Sequence, residues 1–270
     1  MYDCVQTEVR ARGHWRHYVT LLRIHYHSSF VAVLLGTLVV TRHRSGLLVW
    51  RTFLLYVSLN LLLYGGLYSL NAITDAEADS RHPWKRTRPV ASGEISRQAA
   101  GVFAVVLIVA GFVTGSTWLG WEIMPVYALL LALNLAYSLC FRNVFVLDVI
   151  FNSATHPPRF WLGMWLAGGG FKLEWLVLVF LFAIGMAASR RSVDLNHASW
   201  TSRRSLRKYS RLNLLVIKSV AFALIVLLWI VSRPSFKIPY IVTVCAYVAC
   251  VGGIEAVPRI RSMFERLWLR

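Results

Sequence analysis

Apolar residues run along this chain in long unbroken stretches, separated by short polar and basic segments. Eight stretches, at roughly 18–41, 47–74, 98–118, 121–140, 144–167, 173–192, 212–231 and 238–257, reach the ~20 residues an α-helix needs to cross a bilayer. Apolar positions are contiguous and do not alternate, so helices are predicted and a β-barrel is not. The spans occupy about 160 residues, which leaves no room for a soluble domain. The pattern predicts an all-α integral membrane protein, a single transmembrane domain over 1–270. Its N-terminal segment, 1–17, is polar. At 258–270, basic residues alternate with Ile260, Met263, Phe264, Leu267 and Trp268, which suits an amphipathic helix on the inner leaflet. No cleavable signal is visible, so the first stretch is read as a retained helix.

Composition agrees with this pattern: 57% of residues are hydrophobic and the mean hydropathy is +0.56. These values exclude disorder, a secreted miniprotein and a soluble nucleic-acid binder. Only 15% of residues are charged, yet 29 Lys and Arg face 12 Asp and Glu. In so apolar a chain, a net charge of +17 points to cytoplasmic loops facing anionic lipid headgroups and ligands, with no nucleic-acid partner. With the N-terminus inside, 21 of the 29 basic residues fall on the cytoplasmic side and six on the other; Arg159 and Lys218 lie within spans. The bias predicts a multi-pass protein with both termini cytoplasmic. The four cysteines (Cys4, Cys140, Cys245, Cys250) are scattered and indicate neither a disulfide framework nor a metal cluster.

Candidate chemistry concentrates in three places. At the cytoplasmic end of the second stretch, Asn71, Asp75 and Asp79 are spaced i, i+4, i+8 and fall within about 80° of arc on one helix face. Three oxygen ligands on one face suit Mg²⁺, which completes its shell with water or substrate phosphate. Carboxylates in a row at a span end are costly unless used. Lys85, Arg86 and Arg88 follow, either as a plain positive-inside loop or as cations that neutralise phosphates exposed by the metal. In the fifth stretch, Asp148, Asn152, Thr155 and Arg159 lie within about 60° of arc and form a polar stripe expected to face a cavity. Pro157 and Pro158 interrupt this span and free backbone carbonyls. At the end of the sixth stretch, Arg190 and Arg191 precede Asp194 and could contact phosphate oxygens in bidentate fashion. Asn60 and Tyr64 form a second stripe with Asn71 and Asp75. Arg23, ahead of His25 and His27, is a further candidate.

The second-stretch motif resembles the N-D-x-x-D-x-x-x-D signature of the UbiA-type intramembrane transferases, with Ala72 in place of the first Asp. That resemblance implies a UbiA-like helical bundle, in which nine spans are usual and about eight are counted here. Within the superfamily the chain looks most like the decaprenyl-phosphate phosphoribosyltransferase branch. The carriers are His82-Pro83-x-Lys85-Arg86-x-Arg88-Pro89-Val90-Ala91-Ser92-Gly93, Leu135-Ala136-Tyr137-Ser138, Arg159 before Ala-Gly-Gly, and Arg203-Arg204-Ser205-Leu206 before Tyr209. Arg190-Arg191-x-x-Asp194 stands where prenyltransferases carry a second D-x-x-x-D.

The resemblance implies Mg²⁺-dependent transfer of 5-phosphoribose from phosphoribosyl diphosphate to a polyprenyl phosphate, at the cytoplasmic face of a bacterial plasma membrane, towards a lipid carrier for cell-wall arabinose. It makes Asn71, Asp75 and Asp79 the metal ligands and Lys85 a helper of the leaving group. Asp194 orients arginines or binds a ribose hydroxyl. Arg23, Arg86, Arg88, Tyr137, Asp148, Asn152, Arg159, Arg190 and Arg191 are expected to contact substrate. One alternative is prenyl transfer from a prenyl diphosphate to an aromatic or other small acceptor, or terpene cyclisation. Another is a transporter, which would need a polar path to the far leaflet. Membrane lipids are the expected surroundings, and a homo-oligomer is left open.

Overall fold

The computed structural model describes residues 15–41, 45–81, 85–196, 204–231 and 237–269. Cys4, Arg10, Arg12, Arg42, Arg44, His82, Pro83, Trp84, Arg203, Arg233 and Arg270 lie outside the described residues. Ten helices carry the described chain: α1 (Trp15–Val40), α2 (Gly46–Ser80), α3 (Arg97–Leu119), α4 (Trp121–Phe141), α5 (Leu147–Ala154), α6 (His156–Leu166), α7 (Leu173–Asn196), α8 (Arg211–Val231), α9 (Ile238–Ala256) and α10 (Pro258–Leu269). Seven of these are long and apolar enough to cross a membrane. Valines 102, 105, 106, 109 and 113 of α3 are exposed, as expected of a helix surrounded by lipid tails.

The fifth predicted stretch departs from a continuous span. It is two helices, of eight and eleven residues, that meet at Thr155. The reason is in the sequence: Pro157 and Pro158 have no N–H to give the preceding turn and fit only at the start of a new helix.

Internal contacts gather in two units, Met1–Leu131 and Ala132–Arg270. In the first, α2 is 35 residues long, about 50 Å at 1.5 Å per residue, against ~30 Å of hydrocarbon. Its polar C-terminal turns can therefore reach the headgroup region. α2 packs on α3 at backbone distance. A Cβ on Gly66 would stand 2.7 Å from the Ala104 carbonyl oxygen, and one on Gly111 would stand 2.8 Å from the Leu63 nitrogen. Small residues allow this approach where no hydrophobic force drives helices together. Between its two α-helical parts, α2 winds as a π-helix over Tyr56–Tyr64. There the buried Ser58 hydroxyl meets that of Tyr127 on α4 at 2.7 Å.

In the second unit, Leu178, Leu181, Ala221, Ile225, Tyr240, Tyr247 and Val251 build a core among α7, α8 and α9. A second cluster, Val149, Ala187, Ala188, Leu206, Tyr209 and Leu214, holds the segment before α8 against α5 and α7. Lys218 of α8 is buried and donates to Ser192 of α7 at 3.0 Å and to Glu255 of α9 at 2.5 Å.

Candidate functional site

In the first unit, the last part of α2, Gly65–Ser80, is regular α-helix, so Asn71, Asp75 and Asp79 do share one face. Beneath them Ala72 and Ala76 pack with Leu21, Val90, Ile95 and Ala100. The small alanines let the helix sit close to its neighbours. Asp75 is half-buried, and Asp79 is 7% exposed. Arg88 donates Nη1 to Asp79 Oδ2 at 2.7 Å. Lys85 is half-buried and Arg86 exposed on the 3-10 turn Lys85–Thr87. Hard oxygens from two carboxylates and one amide fit Mg²⁺ if phosphate oxygens and water fill the rest of its shell. Among the described residues no group of three or more His, Cys, Asp and Glu could hold a metal, so this metal would depend on its phosphate partner.

Arg23 of α1 is set apart by its backbone. It adopts φ 47° and ψ 52°, a left-handed conformation rare outside glycine, and interrupts α1 before the 3-10 turn Ile24–Phe30. Its Nη2 is buried without a hydrogen-bond partner among the described residues. Strain together with an unsatisfied buried donor makes Arg23 a candidate for ligand contact.

One helical face further down α2, Asn60 is fully buried and donates Nδ2 to the His27 carbonyl at 3.5 Å. His27 Nδ1 and the Tyr56 hydroxyl meet at 2.8 Å. The predicted stripe of Asn60 and Tyr64 thus lies inside the protein, Tyr64 with its ring centroid 6.0 Å from that of Tyr68.

In the second unit the centre is Asp148, fully buried at the first turn of α5. Its Oδ2 accepts from Arg191 Nε at 2.7 Å and from Ser205 Oγ at 3.3 Å, while Oδ1 accepts from the Tyr209 hydroxyl at 2.5 Å. Tyr209 also accepts the N–H of Val146 at 3.0 Å. Val146 has φ 65°, an outlier for a β-branched residue, and this bond helps hold it there. Burial first, and the bond to Asp148 second, push the Tyr209 phenol above its ordinary range, so it stays a donor.

Arg191 is 2% exposed and is engaged at each nitrogen: Nε with Asp148, Nη1 with Asp194 at 2.8 Å, Nη2 with the Tyr137 hydroxyl at 3.5 Å. Arg190, the preceding residue on α7, is half-buried, as is Asn152; Arg159 is buried in α6. The structure thus joins Tyr137, Asp148, Arg191 and Asp194 into one network; in the first unit Asn71, Asp75 and Asp79 share a helix face, with Arg88 paired to Asp79. Tyr209 and Ser205 went unpredicted as site residues. Their signal in the sequence was the Arg203-Arg204-Ser205-Leu206 segment before Tyr209, which carried the family resemblance without assigning either residue a role.

Residues 29–262 match the UbiA prenyltransferase family. The decaprenyl-phosphate phosphoribosyltransferase of Mycobacterium tuberculosis strain H37Rv is 28% identical over 226 residues, covering 76% of this chain and 73% of that protein. The Mycolicibacterium smegmatis protein of that name is 29% identical over 235 residues, covering 76% and 72%. Among solved structures, a UbiA homolog from Archaeoglobus fulgidus bound to GPP and Mg²⁺ matches with a TM-score of 0.73 at 15% identity, over 94% of this chain and 95% of that one. At that identity the likeness concerns the fold.

Proposed function

Because this chain belongs to the UbiA prenyltransferase family, we propose that it transfers 5-phosphoribose from phosphoribosyl diphosphate to a polyprenyl phosphate at the cytoplasmic face of the membrane, with Mg²⁺ as cofactor and both termini cytoplasmic. The observation that carries this reading is the pairing of Asp194 with Arg191 at 2.8 Å. Prenyl transfer by this family's pattern needs carboxylates at this place to hold a second metal on the diphosphate. Here the carboxylate is tied to a buried guanidinium that Asp148 holds as well, whereas Arg88, the partner of Asp79, is partly exposed and can turn to a ligand; Arg190 lies beside it. A donor with a 5-phosphate and an acceptor with a lipid phosphate call for such cations. The names of relatives 28% and 29% identical support the same reading.

In this reading Asn71, Asp75 and Asp79 hold Mg²⁺, which would neutralise charge on the departing diphosphate. Arg23, with its unsatisfied Nη2, and Lys85, Arg86 and Arg88 bind diphosphate oxygens. Arg190 and Arg159 hold the 5-phosphate or the acceptor phosphate. An acceptor phosphate oxygen forms the new bond to ribose C1, and the C1–O bond to diphosphate breaks with its electron pair leaving on oxygen. The attacking phosphate is already anionic near neutral pH, so no general base is required. Tyr137 and Asp148 act through Arg191, and Asp194 orients that arginine or meets a ribose hydroxyl. Asn152 lies on the same stripe and is assigned to substrate contact.

Purified protein with Mg²⁺ and polyprenyl phosphate should convert labelled phosphoribosyl diphosphate into labelled lipid. Product from a prenyl diphosphate and an aromatic acceptor, with none from phosphoribosyl diphosphate, would overturn the assignment.

A further inference from the structure

Asp148 and Asp194 come from different helices, α5 and α7, yet both carboxylates pair with the same group, the Arg191 guanidinium. Two carboxylates gathered about one point make a place for a cation, and a divalent metal is the usual occupant when water and phosphate can complete its shell. In this chain the point is filled from within. Arg191 Nε lies 2.7 Å from Asp148 Oδ2, and Nη1 lies 2.8 Å from Asp194 Oδ2. The Asp148 and Arg191 side chains are 0% and 3% exposed, and Asp194 is 13% exposed.

The surroundings fix this arrangement. The remaining Asp148 oxygen accepts from Tyr209, Ser205 reinforces the first, and the third guanidinium nitrogen reaches Tyr137. A metal entering between the carboxylates would have to expel Arg191 and leave a guanidinium buried without its counter-charges, which is strongly unfavourable. The guanidinium also differs from a metal in what it can do. It is planar, has directed donors and is anchored to α7, so it cannot leave with a diphosphate product.

We propose that Arg191 is a resident cation in place of a metal ion, so that the Asp148–Asp194 pair binds no divalent cation and the chain loads metal only at Asn71, Asp75 and Asp79. Asp148 is then a positioning residue: it holds Arg191, and through Tyr209 and Ser205 it holds the segment that leads into α8. This deepens the phosphoribosyl reading and rests on its assignment of the metal to α2.

The test counts metal on the full-length protein in detergent. Mn²⁺ bound per chain is measured by equilibrium dialysis in the presence of inorganic diphosphate, which both classes of donor share, and electron paramagnetic resonance reports whether two Mn²⁺ ions are spin-coupled. The expected result is one Mn²⁺ per chain with no coupled pair, unchanged in Asp194→Asn and lost in Asp79→Asn. Two Mn²⁺ per chain, falling to one in Asp194→Asn, would overturn the proposal. Arg191→Gln removes the cation and spares both carboxylates, and it should gain a second Mn²⁺. If that variant does not fold, the comparison of the unaltered protein with Asp194→Asn decides alone. Failure of phosphoribosyl diphosphate to protect against thermal unfolding would remove the donor assignment and leave the metal count standing, so the two ideas fail separately.

Discussion

Arg88 reaches back nine residues to donate Nη1 to Asp79 at 2.7 Å, with both side chains largely withdrawn from solvent. Without metal, the arginine is the counter-charge of the carboxylate. Asp75→Asn and Asp79→Asn each remove charge from the metal face at nearly constant volume, and turnover should fall at least ~100-fold with the fold retained. Arg88→Ala should lower the melting temperature by leaving Asp79 unpaired, and Mg²⁺ alone should restore part of that loss by supplying the missing counter-charge. Full activity of either aspartate variant would remove α2 as the metal helix.

Packing of α2 on α3 gives a prediction independent of chemistry. A side chain on Gly111 would meet the Leu63 nitrogen at 2.8 Å and the Ser58 oxygen at 2.9 Å, and backbone cannot yield as a side chain can. Gly111→Val should therefore destabilise the protein by about 1–3 kcal/mol, read as a lower melting temperature in detergent. Gly46, whose Cβ would meet nothing within 4 Å, is the control: Gly46→Ala should leave it unchanged.

The span pattern was legible because hydrocarbon imposes it: length and hydropathy alone located the helices, and i, i+4, i+8 spacing placed Asn71, Asp75 and Asp79 on one face. The break at Thr155 was half legible, since Pro157 and Pro158 announced freed carbonyls but not two separate helices. Partner choice was not legible. Asp148 lies 43 residues from Arg191 and 61 from Tyr209, and periodicity within one helix carries no information about contacts at such separations. For the same reason the sequence suggested Arg191 as a phosphate ligand, whereas its nitrogens turn inward to two carboxylates and a tyrosine. The left-handed Arg23 was invisible too, because no glycine marks it.

Topology is tested by labelling. The positive-inside count predicts that the loops after α2 and α7 are both cytoplasmic. Ser92 and Lys208 are exposed. Single cysteines there, in a background with the four native cysteines replaced by serine, should react with an impermeant thiol reagent only after the inner face is opened. Labelling of either position in intact cells would break the assignment of both loops to the cytoplasm.

Asp148 carries a large share of the second unit's polar order, so its variants should be graded. Asp148→Ala leaves Arg191 with one carboxylate fewer and Tyr209 without its acceptor, and breaking a buried pair in this way costs about 3–5 kcal/mol. Tyr209→Phe removes one hydrogen bond to Asp148 and the acceptor for Val146, at about 1–3 kcal/mol. Chemical denaturation in detergent should rank Asp148→Ala below Tyr209→Phe and both below the unaltered protein. Equal stability of all three would mean the network is not a structural keystone.

The donor assignment separates two reactions that share one fold, and arginine chemistry decides between them. Arg190 is proposed to hold a phosphate through its planar fork. Arg190→Lys keeps the charge and loses the fork, so KM for phosphoribosyl diphosphate should rise about tenfold or more, with a smaller change in kcat. Asp194→Asn should lower activity, because Arg191 loses one of its two carboxylates, while Mn²⁺ binding at α2 persists. Under prenyl transfer the pattern inverts: Asp194 would be a metal ligand, its loss would match that of Asp75, and a prenyl diphosphate would protect against thermal unfolding where phosphoribosyl diphosphate does not. A thermal shift with geranyl diphosphate and none with phosphoribosyl diphosphate, both in Mg²⁺, would end the phosphoribosyl assignment and leave the family and fold intact.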